Sequence, residues 1–122
     1  MHEEANAVKY MLLFCGTQDG QRAYDAMTPE ELEPRLAEVG RWFGENGAKI
    51  VEGSQLQPPE TATTVHHERG DEPMVTDGPF LEGNEVIGGY VVIDVDDLDD
   101  ALAMARSWPG RGSVEIRPIV SH

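Results

Sequence analysis

Between Val8 and Cys15 only Lys9 is charged, and Val8, Tyr10, Leu12 and Phe14 alternate with Met11, Leu13 and Cys15. A period of two predicts a strand, and apolar residues on both faces make it a central, doubly covered one. The period then changes. Leu32, Leu36, Val39 and Phe43 recur every three or four residues and predict a helix. Thr28-Pro29-Glu30-Glu31 opens it: Thr28 caps, Pro29 suits the first helical position, and Glu31 completes a capping box. Asn46-Gly47 stops it. Pro34 removes a backbone donor one turn inside, which predicts an irregular first turn. Gly40 and Gly44, four apart, leave one side of the helix open to close backbone approach. The polar stretch 16–26, with Gly16, Asp19 and Gly20, reads as a loop.

The second half returns to short periods. Residues 48–56 read as a strand broken by Gln57-Pro58-Pro59-Glu60. Residues 61–67 and 72–76 form two short segments around Arg69-Gly70-Asp71, a hairpin signal. Asp77-Gly78-Pro79-Phe80 is a turn, and 81–86 a loop. Residues 87–95 make a further strand, where Gly88-Gly89 points to a bulge or a close backbone approach. Asp96 or Asp97 caps a second helix over 98–107, with Leu98, Leu102 and Ala105 facing inward and Pro109-Gly110 ending it. Residues 113–119 alternate as the last strand, and Pro118 places that strand at an edge.

The order is β-α-β, an inserted hairpin, then β-α-β. The predicted class is α+β: a ferredoxin-like split βαβ, with an antiparallel sheet and both helices on one side. Residues 1–7 read as a flexible N-terminal extension, and 8–122 as a single domain. Two helices cover one face of a sheet whose first strand is apolar on both. An uncovered apolar face is rarely left to water, so a second copy packed sheet to sheet is expected, as a two-fold homodimer.

Composition narrows the partners. The chain has 122 residues, 23 acids against 9 Lys plus Arg, and a formal net charge of -14. The excess is spread over both halves. Phosphate backbones and anionic lipid are repelled by such a surface, so neither nucleic acid nor a membrane is an expected partner. No apolar run reaches the ~18 residues of a membrane span. The acidic start, Met1 to Ala7, is not a secretory signal, so a cytoplasmic location is expected. A single cysteine, Cys15, excludes an intramolecular disulfide framework and a Cys-rich zinc site.

Ordered blocks then point to a family. They are Lys9-Tyr10-Met11-Leu12-Leu13, the run 53–58, Thr61 to Val65, Val75-Thr76-Asp77-Gly78-Pro79-Phe80, Gly88-Gly89-Tyr90, the run 93–99, and Ser113 to Ile119. Together they span nearly the whole of residues 8–119, and in this the chain resembles the YCII-related proteins, within them the DGPF-domain group. The resemblance implies a dimeric α/β-barrel assembly of ferredoxin-like subunits. On function it implies little. The group is largely uncharacterised, and its genes often accompany alternative sigma factors, which makes a sigma factor a partner by gene context alone. More distant relatives include an enzyme that removes chloride from a chlorinated hydroxyquinone, attributed to a His-Asp pair. That pattern falls near Leu36 and Glu45 here, so the histidine is missing and the dyad does not carry over. After DGPF the group has alanine and then Glu-Thr-Lys-Glu. Here Leu81-Glu82-Gly83-Asn84-Glu85 keeps both glutamates and loses the threonine and lysine.

Several residues can carry chemistry. Asp77, a carboxylate at a strand end beside glycine, is the candidate catalytic base, against the plainer reading of a turn residue bonding its own backbone. His66 and His67 point to opposite faces, so one of them, taken as His66, can enter a pocket as an acid-base group; the alternative is exposure beside a hairpin tip. Glu82, Glu85, Tyr90 and Arg117 form a looser ligand-binding set. Arg117 can grip a carboxylate and Tyr90 donate a hydrogen bond, or an Arg–Glu pair can simply hold the post-DGPF loop to the sheet. The acidic run 94–100 lacks the glycine and glutamate of a calcium loop and reads as a helix start. Cys15 reads as a small core residue. No metal or cofactor is called for. The expected function is a homodimeric small-molecule-binding or regulatory domain. The alternatives are an acid-base lyase or hydrolase using Asp77 or a nearby glutamate, and a module acting with a sigma factor.

Overall fold

The computed structural model describes residues 8–67, 72–78 and 85–122. Strand β1 is Val8–Thr17, followed without a loop by helix α1, Gln18–Asp25, where a polar loop is expected from the sequence. The Thr17 hydroxyl accepts from the Gly20 amide and starts that helix. Asp19 pairs with Arg22 and Gln21 with Asp25 along its surface. No residue of α1 is buried, so no hydrophobic period announces it.

Helix α2, Pro29–Asn46, carries the expected capping box: the Glu31 amide donates to the Thr28 hydroxyl, and the Thr28 amide to the Glu31 carboxylate. It runs unbroken through Pro34, where an irregular turn is expected. Pro34 and Glu30, whose carbonyl loses its donor, are both exposed, so water can take the place of the missing bond. The buried stripe is rotated from the expected one. Trp42 is the buried residue, Leu32 and Val39 are half-buried, and Leu36 and Phe43 are exposed. Gly40 and Gly44 meet nothing within 4 Å of an added Cβ, so no close backbone approach explains them.

Strand β2 (Ile50–Gln55) follows a 3-10 turn at Gly47–Lys49, and a second such turn, Pro59–Thr61, leads to β3 (Thr63–His66) and β4 (Met74–Asp77). Strand β5 (Glu85–Val95), helix α3 (Leu98–Arg106) and strand β6 (Ser113–Pro118) complete the chain. The sheet order is β2-β5-β1-β6, antiparallel throughout, with β3 and β4 forming a separate two-stranded sheet. The four-stranded sheet is open, its edges β2 and β6, and Pro118 lies on an edge as expected. Both readings of Gly88-Gly89 hold. The β1–β5 register slips between Phe14, opposite Gly89, and Cys15, opposite Ile87, leaving Gly88 as the extra residue. A Cβ on Gly89 would fall 2.9 Å from the Ser54 carbonyl oxygen of β2.

The core lies on one face of this sheet. Tyr10, Leu12, Val91, Ile93 and Val95 meet Trp42 from α2 and Ala101 and Met104 from α3, so both helices cover the same side. In α3 the inward residues are Ala101 and Met104, with Leu98 exposed, a one-position rotation of the expected stripe. The Trp42 indole N–H is satisfied by the Met104 carbonyl (3.1 Å) and the Ser107 hydroxyl (2.9 Å), tying α2 to the end of α3. Phe14 and Trp108 stack at 4.2 Å between centroids, with Trp42 edge-on to both.

Candidate functional site

The ladder assigns the other face of the sheet. Met11 pairs with Val92 and Arg117, Leu13 with Tyr90 and Glu115, and Cys15 with Ile87 and Ser113. Glu52 and Ser54 of β2 stand opposite Val92 and Tyr90. Paired residues share a face, so Met11, Leu13, Cys15, Tyr90 and Val92 make an apolar centre flanked by Glu52, Ser54, Ser113, Glu115 and Arg117. Val92 is buried among its neighbours, while Met11, Leu13, Cys15 and Tyr90 are half-buried. The expectation of a second oily face thus holds for the two central strands, and the edge strands supply polar margins.

This face gathers part of the expected ligand-binding set. Tyr90 and Arg117 lie on it, separated by β1. Glu85 does not join them: it pairs with Thr17, six residues along β1 from the Met11 that faces Arg117, roughly 20 Å away. Arg117 pairs with Glu115, two residues back on its own strand, rather than with Glu85. Glu115 was not among the expected site residues, although the i, i+2 spacing along a strand was the available signal. Glu82, Pro79 and Phe80 lie outside the described residues, as does the tip 68–71.

The hairpin holds the other candidates. Asp77 is the last residue of β4, paired with Thr63 and exposed, and its carboxylate has no hydrogen-bond partner among the described residues. The turn proper starts at Gly78, whose φ of 100° favours glycine. The Gly78 amide donates to the Ala62 carbonyl, and the Thr64 hydroxyl to the Gly78 carbonyl, both at 2.7 Å. His66 is half-buried on the opposite hairpin face, 3.0 Å from the Thr76 hydroxyl; His67 is exposed.

Cys15 has a perturbed proton affinity. Burial first, and then the carboxylates of Glu115 and Glu85, push its thiol above the ordinary range. Among the described residues no group of three or more His, Cys, Asp and Glu is placed to hold a metal. The acidic run starts a helix, as expected: Asp97 accepts from the Asp100 amide, and Asp100 from the Asp96 amide. A groove of about 300 Å³ between α1 and the Pro59 turn is lined by Gln18, Gln21, Arg22, Asp25, Pro59 and Glu60, and it holds none of the candidates. No described helix is long and apolar enough to cross a membrane.

Comparison with known proteins adds a family. An uncharacterized protein, R00369, of Rhizobium meliloti (strain 1021) is 34% identical over 114 residues, 90% of each chain. The model of the YCII-related domain matches residues 8–121, which takes in every strand and helix described above. The chain therefore belongs to the YCII-related family.

Proposed function

We propose that two copies associate through their open sheet faces as ferredoxin-like subunits of a dimeric α/β-barrel assembly. The space between them takes a small molecule in a binding or regulatory role. The observation that carries this is the one-sided coverage. Helices α2 and α3 share one face, and the other has an apolar centre with no helix over it among the described residues. The strand order β2-β5-β1-β6, with a helix after β1 and another after β5, is the order a split βαβ requires. An apolar floor with a few polar groups, here Tyr90 and Arg117, is the composition of a small-molecule site. The acid-base reading rests on Asp77 or a nearby glutamate, of which Asp77 and Glu85 are exposed, and the sigma-factor reading on no residue, so binding is the reading supported best.

Sedimentation equilibrium at micromolar concentration tests the assembly, with a dimer expected and a monomer against it. A thermal-shift screen of small carboxylates and aromatic compounds tests the site. A ligand is expected to raise the melting temperature with no turnover, and Arg117→Ala to abolish the rise.

A further inference from the structure

The charges on the open sheet face are mixed in sign, and the register sorts them into lines. Glu52, Val92, Met11 and Arg117 form one line across the sheet, from edge β2 to edge β6. Asp94 and Lys9, two residues along β5 and β1 from Val92 and Met11, stand opposite each other on the next line. In both lines the acid lies on the β2–β5 side and the base on the β1–β6 side. Glu115, on the line of Leu13 and Tyr90, breaks this order, but it is held by Arg117 of its own strand. Glu52, Lys9 and Asp94 are exposed and enter no ion pair among the described residues.

A face of this kind is complementary to itself in one orientation only. Packed sheets lie about 10 Å apart with their strands nearly aligned, so a two-fold axis between them runs across the strands or along them. An axis across the strands, over the line of Met11, sets Arg117 on Arg117 and Glu52 on Glu52. Moved half a line either way, it sets Lys9 and Asp94 on Met11 and Val92, or on Cys15 and Ile87, where neither charge meets a partner. An axis along the strands, midway between β1 and β5, places β1 over β5 of the second copy and β6 over its β2. The lines then stay in step. Lys9 comes over Asp94 of the partner subunit, Arg117 over the partner's Glu52, and Met11 over the partner's Val92, each contact occurring twice. Apolar burial supplies the attraction, and opposed charges select the orientation.

We infer that the dimer proposed above is built about a two-fold axis parallel to β1 and β5, with Lys9 of each copy against Asp94 of the partner subunit. The ligand site is then composite. Each copy's own Arg117 is two strands from Tyr90, whereas Arg117 of the partner subunit lies over β2, one strand away. This rests on the dimer reading, and the test tells the two apart. K9E protein opposes two acids across the interface, and D94K protein two bases, so sedimentation of either alone is expected to show a dissociation constant raised about tenfold. Mixed together, the two variants restore both contacts. With one variant grown in heavy nitrogen, native mass spectrometry is expected to show mixed dimers well above their statistical share. Repulsion between positions 9 and 94 inside one copy is the same in every pairing, so that share reads only the contact between copies. In wild-type protein mixed from light- and heavy-nitrogen copies, a zero-length carbodiimide is expected to join the Lys9 and Asp94 peptides across isotopes. A wild-type monomer overturns the dimer reading and this orientation with it. A wild-type dimer whose variants mix only statistically, or whose Lys9–Asp94 cross-links stay within one isotope, overturns the orientation alone.

Discussion

At Gly112 a single hydrogen atom in place of a side chain decides how β6 meets β1. Its φ is 88°, and a Cβ built there would fall 2.1 Å from the Cys15 carbonyl oxygen. An alanine must therefore both adopt a left-handed conformation and push the strands apart. Gly112→Ala is expected to cost about 2–4 kcal/mol, read as a lower urea midpoint at unchanged slope. Nearby, Cys15 makes stability depend on pH. Its thiol is raised by burial and by Glu115 and Glu85, so the folded chain holds that proton more tightly than the unfolded one. The contribution is complete below the unfolded thiol value, about 8.5, and is lost as pH rises through the higher folded value. Urea titrations of wild type and Cys15→Ala at rising pH check this. The wild type is expected to lose stability on the alkaline side more steeply than the variant.

At the scale of elements, the legible parts were those in which one period dominated. β1 and β6 follow from alternation, β5 from its apolar run Val91-Val92-Ile93, α2 from its helical spacing and capping box, and the bulge from Gly88-Gly89. Helix α1 was not legible because it buries nothing; its cap Thr17 and the Asp19–Arg22 and Gln21–Asp25 pairs are local signals without a hydrophobic stripe. The stripes of α2 and α3 came out rotated for a related reason. A stripe read through Leu36 and Phe43, or through Leu98 and Leu102, misses the face that meets the sheet, which presents Trp42, Ala101 and Met104. The indole fits there because its N–H finds Met104 and Ser107, a long-range fact that no local window contains. Gly40 and Gly44 belong to this scale too. With open space where each Cβ would go, Gly40→Ala and Gly44→Ala are each expected to stabilise by about 0.5–1 kcal/mol in thermal unfolding. A loss of stability in both would show that α2 packs closely against something along that side.

Across the whole molecule, the candidate site was legible only as far as the faces of strands could be assigned. Alternation alone puts Tyr90 on one side of β5 and Arg117 on one side of β6, but only the register brings the two sides together over β1. It also parts Glu85 from Arg117, and it pairs Arg117 with Glu115, which a search for loop glutamates passes over. Asp77 and His66 lie three residue pairs apart on the hairpin and face opposite ways, so they form no dyad within one copy.

The charge of the whole chain makes a last prediction about the proposed dimer. Two molecules each carrying -14 repel at long range, and this repulsion acts against an attraction that is mainly apolar. Salt screens exposed charges beyond a Debye length of about 8–10 Å near physiological ionic strength, and leaves burial of Met11, Leu13 and Val92 almost untouched. The many-charge repulsion therefore governs the sign. Sedimentation equilibrium at about 0.02 M and about 0.3 M sodium chloride is expected to show tighter association at the higher salt. Weaker association there would mean that attractive ion pairs, rather than the apolar strip of β1 and β5, hold the copies together.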